Sequence, residues 1–116
     1  MSFRRQKFNA KPRYCHEGHK HASTKEAVRC DELHILQACG QITNLKVEPQ
    51  FWFSINGVQI KHPNGRRVGY KPDFQYFEGD KNVVEDVKSL PTRTEAYVLR
   101  IAFFRALYPF ITLREA

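Results

Sequence analysis

The stretch "GYKPDFQYFEGDKNVVEDVKS", residues Gly69 to Ser89, places charged residues inside two apolar runs that flank a turn. The pattern predicts an antiparallel hairpin, in which Asp73 near the start of one strand comes close to Asp86 and Lys88 near the end of the other. Charges on a buried strand are costly unless they interact with each other or with a ligand. The stretch therefore predicts a functional cluster, with a surface hairpin and its cross-strand ion pair as the alternative.

These three charged side chains suit one kind of chemistry. Two carboxylates held close together repel each other, and a divalent cation removes that repulsion. Asp73 and Asp86 are therefore predicted to bind Mg²⁺ or Mn²⁺, while Lys88 orients the nucleophile or stabilises charge on a phosphate. Lys71 and Glu85 should face away from the two aspartates and are expected to be exposed. The cluster predicts metal-assisted hydrolysis of phosphodiester bonds.

Two helices are indicated by residues that cap or stop a helix. The first is predicted over about residues 24–38, and the second over the apolar stretch that follows residue 92. The second helix is apolar around most of its circumference, so either the sheet or a homodimer interface must cover it. The capping and stopping residues are, in chain order, Ser23, Glu26, Gly40, Thr92, Glu95 and Pro109.

Strands are predicted between and after the helices. "LKVEPQFWFSI" and "VQIKH" flank Asn56-Gly57, the favoured pair for a type I′ hairpin turn, and are followed by strands over Val68–Phe77 and Asn82–Ser89 and by a short last strand, "FITLRE". The order predicts an α/β fold with a mixed sheet flanked by helices. A chain of 116 residues has the length of one domain, predicted over residues 14–116 after a flexible basic arm at residues 1–13.

The charged hairpin also resembles a known motif. Pro72-Asp73, twelve intervening residues and then Asp86-Val87-Lys88 are similar to the active-site motif of PD-(D/E)XK nucleases. The wider pattern "Y..DF.Y.......VEDVK" resembles a phage and prophage family described as a domain of unknown function within that superfamily, with Holliday-junction resolvases among its functional analogues. The resemblance extends from about Gly18 to the C-terminus.

This resemblance implies a restriction-endonuclease-like αβββαβ core with an extra hairpin strand, and a structure-selective endonuclease that acts on branched DNA in phage recombination or replication. It also implies that Glu26, a glutamate on the first helix, completes the metal site. Glu26 lies on the same helical stripe as Cys30 and Leu33, which permits that role. The alternative is that Glu26 only closes its capping box.

A second group of metal-ligand residues lies in "YCHEGHKHASTKEAVRCDELH". Its Cys-x3-His pairs predict a structural zinc site, because Cys30 and His34 are one helical turn apart and both can reach one ion. His21 or His16 could replace His19 in this set. In the alternative, Cys30 is a small core residue and the histidines are solvated groups that face DNA. The predicted zinc ligands are Cys15, His19, Cys30 and His34.

The charge distribution points to a polyanionic partner. The net charge is +7, and residues 1–29 hold eight Lys or Arg against two Glu. No apolar run approaches the roughly 18 residues of a membrane span, and the first residues lack an apolar signal core, so the chain is expected in the cytoplasm, that of the host cell if a phage encodes it. The predicted DNA-contacting residues are Arg4, Arg5, Lys7, Lys11, Arg13, Arg66 and Arg67.

The residues therefore favour a metal-dependent endonuclease acting on branched or double-stranded DNA, with Mg²⁺ or Mn²⁺ as cofactor. The alternative is a non-catalytic nucleic-acid-binding module whose basic N-terminal segment is held by zinc, and in which Arg66 and Arg67 are ordinary solvated charges of a turn. A nuclease directed against RNA is a third reading of the same residues.

Overall fold

A computed structural model of the chain describes residues 13–16, 18–21, 23–87 and 94–115. Within these ranges the chain forms two helices and ten strands, most of the strands only two residues long. In chain order they are β1 Arg13–Tyr14, β2 Lys20–His21, α1 Thr24–Ala38, β3 Thr43–Val47, β4 Phe51–Trp52, β5 Ser54–Ile55, β6 Val58–Gln59, β7 Gly69–Tyr70, β8 Phe74–Glu78, β9 Lys81–Asp86, α2 Glu95–Leu107 and β10 Ile111–Glu115.

The central sheet has four strands in the order β10-β9-β8-β3. Strand β8 is antiparallel to both β3 and β9, whereas β10 is parallel to β9. Parallel neighbours need a crossover connection, and α2 supplies it between β9 and β10. The sheet is mixed and flanked by helices, which confirms the predicted α/β class.

The two helices cover opposite faces of the sheet. One core cluster joins Ala27, Cys30 and Leu33 of α1 to the side of the sheet that carries Tyr76 and Val83. The other joins Tyr97, Ile101 and Phe104 of α2 to the side that carries Val84. Neighbouring residues of β9 therefore point toward different helices, as the alternation of side chains along a strand requires.

Helix α1 has the predicted bounds and the predicted caps. The Ser23 side chain accepts a hydrogen bond from the Glu26 backbone N at 3.2 Å. After the helix, Gly40 has φ of +80° and the Gln41 N donates to the Leu36 carbonyl at 2.8 Å. This glycine-capped ending satisfies carbonyls that the helix itself cannot pair.

The cap of α2 differs from the prediction. Thr94, not Thr92, is the N-cap residue, and its hydroxyl accepts from the Tyr97 N at 3.1 Å. Both threonines can cap a helix, so the local pattern alone did not separate them. Val98, Leu99 and Phe103 remain exposed on α2, so the sheet covers only part of its apolar surface.

A curled hairpin, residues 51–70, is inserted between β3 and β8. Strand β4 pairs with β7, and β5 pairs with β6 across Asn56-Gly57, whose φ values of 53° and 78° match the predicted turn. The predicted strand Val68–Phe77 is interrupted between β7 and β8. Pro72 explains the interruption, because it has no N–H to donate to a neighbouring strand.

Candidate active site and metal centre

Strand β9 carries two neighbouring carboxylates on opposite faces of the sheet. Glu85 is 0% exposed and Asp86 is 1% exposed. Glu85 points toward α1, where Arg29 contacts it, and Asp86 points toward α2, where Tyr97 contacts it. The two acids are equally buried, so the groups around each one decide what it does.

Glu85 is neutralised within the protein. Arg29 reaches it from α1 with two nitrogens, and its Nη2 donates to Glu85 Oε1 at 2.9 Å. The Tyr76 hydroxyl donates to the same Oε1 at 2.6 Å. The expectation that Glu85 is exposed is therefore wrong: its charge is balanced by a two-pronged arginine contact that holds α1 on the sheet.

Asp86 is held by tyrosine hydroxyls. The Tyr70 hydroxyl donates to Asp86 Oδ2 at 2.7 Å, and the Tyr97 hydroxyl lies 3.3 Å from the same oxygen and 2.8 Å from Glu115 Oε2. Burial, together with the nearby Asp86 charge, raises the pKa of both Tyr70 and Tyr97. Both phenols therefore stay neutral and act as hydrogen-bond donors that orient the carboxylate.

Asp73 lies beside Asp86, as the hairpin predicted. It immediately precedes β8, whose first residue, Phe74, pairs with Glu85, and its Oδ2 accepts from the Val87 N at 2.7 Å. Burial raises the pKa of Asp73 to about 8; a hydrogen bond with Asp86 and the charges of Asp86 and Glu26 raise it as well, against the opposing effect of the Val87 N–H. Two carboxylates held this close repel each other, which favours a proton on one of them. The pair thus resists carrying two negative charges.

Glu26 lies near this pair, in a neighbouring group of ligands. Its charge acts on Asp73, but the ligand atoms within 4.8 Å of one another are those of His21, Glu26 and Glu48. In the part of the chain that the structure describes, Glu26, Asp73 and Asp86 do not meet that spacing as a set. Glu48 was missed by the sequence reasoning, although an acid directly after β3 is adjacent to β8 in this topology; its N donates to the Asp73 carbonyl at 2.8 Å.

Several predicted site residues lie outside the described residues. Lys88, the predicted catalytic lysine, is one of them. Arg13, assigned above to the arm, instead forms part of β1, and its Nε donates to Thr24 Oγ1 at 2.8 Å. Lys71, expected to be exposed, is exposed, and its Nζ lies 3.5 Å from Glu48 Oε1. The remaining undescribed basic residues of the predicted contact set are Arg4, Arg5, Lys7 and Lys11.

A basic pocket of about 330 Å³ opens beside Asp86. Arg66 and Arg67 line it, as does Arg100 of α2, and the Arg67 guanidinium lies 4.6 Å from the centre of the Trp52 ring. Among the described residues, these three arginines form no ion pair. The predicted turn arginines thus share a cavity with one of the predicted metal ligands. Trp52 had not been singled out, since an aromatic residue in a strand usually belongs to the core.

The Cys/His group assembles where the β1–β2 hairpin meets α1. The turn of this hairpin is closed by hydrogen bonds from Cys15 N to the His19 carbonyl at 3.1 Å and from Gly18 N to the Cys15 carbonyl at 2.9 Å. The Sγ atoms of Cys15 and Cys30 each lie 3.5 Å from His19 Nδ1. Zn–S and Zn–N bonds of about 2.3 and 2.0 Å imply a separation of about 3.5 Å between ligands of a tetrahedral site. The geometry therefore suits a metal ion.

The fourth member of this group differs from the prediction. One ligand atom from each of Cys15, His19, His21 and Cys30 lies within 4.8 Å of the others, so His21 replaces His34. His34 turns its Nδ1 back to the Cys30 carbonyl, 2.8 Å away in the preceding turn of α1. His16 is also outside the group, with its Nδ1 3.8 Å from Asp31 Oδ2.

His21 provides a separate test of whether this group fits a metal. Its side chain is 2% exposed, and its Nε2 finds no hydrogen-bond partner among the described residues. Burial lowers the pKa of His21, so the imidazole is neutral, as a metal ligand must be. Buried polar atoms are nearly always paired, and a metal ion bound by the four residues would satisfy this nitrogen. The group can hold a metal ion and is compatible with structural zinc.

Neither helix of the described chain is both long and apolar enough to cross a membrane.

Comparisons with other proteins place the chain in a family. No curated protein and no solved structure was found to match the sequence. Residues 5–115, nearly the whole chain, match the family described as "protein of unknown function (DUF1064)", and the protein belongs to that family.

Proposed function

We propose that this protein is a metal-dependent DNA endonuclease of the PD-(D/E)XK superfamily, which hydrolyses phosphodiester bonds in branched or double-stranded DNA. One observation carries the proposal. Two carboxyl groups, Asp73 and Asp86, lie beside each other at one end of β8 and β9, where Asp73 accepts from the backbone N of the residue that follows Asp86. Asp86 also lines a pocket with three arginines that have no ion-pair partners among the described residues. Paired acids beside unpaired guanidinium groups suit a phosphate bound together with a cation. The αβββαβ order of the helices and central strands supports the superfamily assignment.

The raised pKa of Asp73 makes the acid pair a candidate cation site. A carboxyl pair that resists double ionisation is stabilised when a divalent cation takes the place of the proton. Asp73 and Asp86, with Glu26 beside them, would hold Mg²⁺ or Mn²⁺, which when bound polarises the phosphodiester and lowers the pKa of a water molecule. Tyr70 and the Val87 N–H fix the two carboxylates in place.

The remaining site residues act on the DNA. Arg66, Arg67 and Arg100 would bind phosphate oxygens beside the acids. Lys88 would orient the nucleophile or stabilise the charge that develops on the phosphate. The basic N-terminal residues would extend the contact along the backbone. No group of residues in the sequence suggests readout of base edges, so recognition would depend on DNA shape.

The biological role follows from the resemblance to phage nucleases. A structure-selective cutter of branched DNA would serve recombination or replication, and a homodimer would present two acid pairs to two strands. The exposed apolar residues of α2, Val98, Leu99 and Phe103, are the surface available for such a dimer.

The Cys/His group supports a second candidate function. Cys15, His19, His21 and Cys30 would hold zinc and join the basic N-terminal segment to α1. In this candidate the protein only binds nucleic acid, and the acids of the hairpin are structural. The observation in its favour is the set of 3.5 Å separations between sulfur and nitrogen.

Cleavage of labelled DNA discriminates between the two functions. Branched, flapped and linear substrates are incubated with Mg²⁺ or Mn²⁺ and wild-type protein, Asp73→Asn, Asp86→Asn or Lys88→Ala. Asp80→Asn is the matched control, because Asp80 is an exposed acid in the turn of the same hairpin. We expect cleavage by wild type and by the control, and loss of cleavage in the other three variants.

Binding without cleavage on every DNA substrate would reject the nuclease and favour the zinc-stapled binding module. Cleavage that Asp73→Asn leaves unchanged would place the active site elsewhere. A parallel panel of RNA substrates identifies a nuclease that prefers RNA.

A further inference from the structure

The indole of Trp52 is exposed yet firmly held. Trp52 pairs with Gly69 across β4 and β7, and a Cβ atom at Gly69 would lie only 2.8 Å from Trp52 Cε3 and 2.4 Å from the Phe51 carbonyl oxygen. The indole therefore packs directly on the glycine backbone, where no other residue would leave room for it. The Tyr108 hydroxyl donates to the Trp52 carbonyl at 2.9 Å. Even so, Trp52 is 41% exposed, so part of this firmly held indole borders the pocket.

Arg67 is oriented by that indole. Its guanidinium lies over the ring at 4.6 Å from the centroid, in the range of a cation–π interaction. The turn that carries it is held by an isolated bridge between Lys61 and Arg67 and by the Arg66 N–H, which donates to Asn64 Oδ1 at 2.9 Å. The pocket thus joins a fixed aromatic ring to one guanidinium group, that of Arg67, whose position is set before a ligand arrives.

The size of the pocket limits what it can accept. Its volume of about 330 Å³ is near the lower limit, about 300 Å³, of pockets that bind small ligands. That space suits one nucleotide. Aromatic rings beside a basic surface are the means by which proteins bind single-stranded nucleic acid without reading its sequence.

We propose that the pocket formed by Trp52, Arg66, Arg67 and Arg100 binds one unpaired nucleotide of the DNA strand that the Asp73–Asp86 site cuts. The base packs on the Trp52–Arg67 pair, in which the guanidinium already lies over the indole, and the phosphate lies against Arg66 and Arg100. This proposal rests on the proposed nuclease function and adds the substrate class. The enzyme selects DNA with a single-stranded segment next to the scissile bond, such as a flap, a fork or the branch point of a junction.

The protein carries its own probe of this pocket, because Trp52 is its only tryptophan. Intrinsic fluorescence is followed in buffer without Mg²⁺ or Mn²⁺, where the proposed nuclease should not cleave, and without a chelator that would remove zinc. The protein is titrated with a short single-stranded oligonucleotide, the matching blunt duplex, and that duplex with an unpaired tail. We expect saturable quenching by the single strand and by the tailed duplex, and little quenching by the blunt duplex. Equal quenching by all three DNAs would overturn the proposal.

Variants test the same contact without relying on the tryptophan signal. In fluorescence anisotropy of labelled DNA, Trp52→Ala is expected to weaken binding of the single strand on the order of tenfold and to leave binding of the blunt duplex within about twofold. Arg67→Ala, which also removes a phosphate contact, is expected to weaken binding of both DNAs, and by the larger factor for the single strand. Phe110→Ala is the control, because Phe110 is an aromatic residue that is 94% exposed and does not line the pocket. Should Trp52→Ala fail to fold, Arg67→Ala decides the outcome, since Arg67 is exposed.

Failure of this proposal can be separated from failure of the nuclease function. Loss of quenching specificity with normal metal-dependent cleavage would reject the nucleotide pocket alone. Quenching by single strands with no cleavage of any substrate would reject the nuclease and leave the pocket as a binding site.

Discussion

Glu85 and Asp86 are adjacent on β9 and equally buried, yet the protein surrounds them differently. On the α1 face, Arg29 and Tyr76 satisfy Glu85 with a charge and a hydroxyl of the chain itself. On the α2 face, two tyrosine hydroxyls lie within hydrogen-bonding distance of Asp86, and the charge of Asp86 raises the pKa of the neighbouring Asp73. The first arrangement completes the fold. The second gathers negative charge beside a pocket of arginines, an arrangement typical of a site for ligands.

The first test concerns the Cys/His group on the α1 side of the sheet. If this group has a structural role, loss of its metal should destabilise the protein. His21→Ala is expected to abolish the binding of one zinc per chain and to lower the free energy of unfolding on the order of 5 kcal/mol, since a structural metal contributes directly to folding. Zinc content by elemental analysis and unfolding in urea are the measurements.

His34→Ala is the matched control, because His34 lies outside the four-ligand group. It is expected to keep full zinc and nearly full stability. Zinc retained by His21→Ala and lost by His34→Ala would restore the spacing-based assignment of the ligands.

The second test removes the Arg29–Glu85 contact, which we interpret as stabilising the fold. Arg29→Met leaves Glu85 buried without its cation and is expected to cost about 3 kcal/mol of stability. Glu78→Gln removes one partner of the exposed Arg114–Glu78 pair, at 3.1 Å, and is expected to cost under about 1 kcal/mol. Midpoints in urea compare the two, and equal losses would show that the buried Glu85 does not depend on Arg29.

Local signals in the sequence predicted much of the fold and the central part of the site. Ser23, Gly40 and Asn56-Gly57 act through their own backbone geometry, so α1 and the β5–β6 turn followed from neighbouring residues. The proximity of Asp73 to Asp86 also followed, because antiparallel pairing with a short turn leaves one register for the hairpin.

The errors concern contacts that join distant parts of the chain. The burial of Glu85 depends on Arg29, which lies 56 residues earlier on α1. No pattern in the residues around Glu85 indicates this contact. Helical spacing correctly placed His34 beside Cys30, but the imidazole is turned to its own helix, and the hairpin supplies His21 instead. The packing of Trp52 on Gly69 brings together two short strands separated by a long loop, which hydrophobic periodicity cannot detect.

Asp86→Asn tests whether Asp86, unlike Glu85, has a functional role. The amide keeps the shape and a hydrogen-bond acceptor for Tyr70 but lacks the charge needed to hold a cation. Cleavage of branched DNA with Mg²⁺ is expected to fall by at least about 10²-fold, while stability changes by less than about 1 kcal/mol. Single-turnover cleavage rates and urea midpoints are measured on the same preparation. A variant that unfolds instead would assign Asp86 to the fold, as Glu85 is.

The smallest expected effect is a pH dependence of stability that comes from Asp73. Because the pKa of Asp73 in the folded protein, about 8, lies above the value of about 3.9 for an unfolded aspartate, the folded state binds more protons in this range. The contribution of Asp73 is therefore fully present below about pH 4 and is lost as pH rises to about 8. Asp73 is partly exposed, so solvent screening reduces the loss to about 1–2 kcal/mol.

Urea unfolding between about pH 5 and about pH 9, without added Mg²⁺ or Mn²⁺ and without a chelator, measures this loss as the difference between wild type and Asp73→Asn. The variant should show a shallower decline, since its amide does not titrate, and its stability should exceed that of wild type at the alkaline end. Saturating Mg²⁺ should flatten the wild-type profile, because a bound cation takes over the role of the shared proton. Parallel profiles for wild type and variant would mean that repulsion between Asp73 and Asp86 does not lower the stability of the protein. Asp86 would then differ from Glu85 only in its hydrogen bonds.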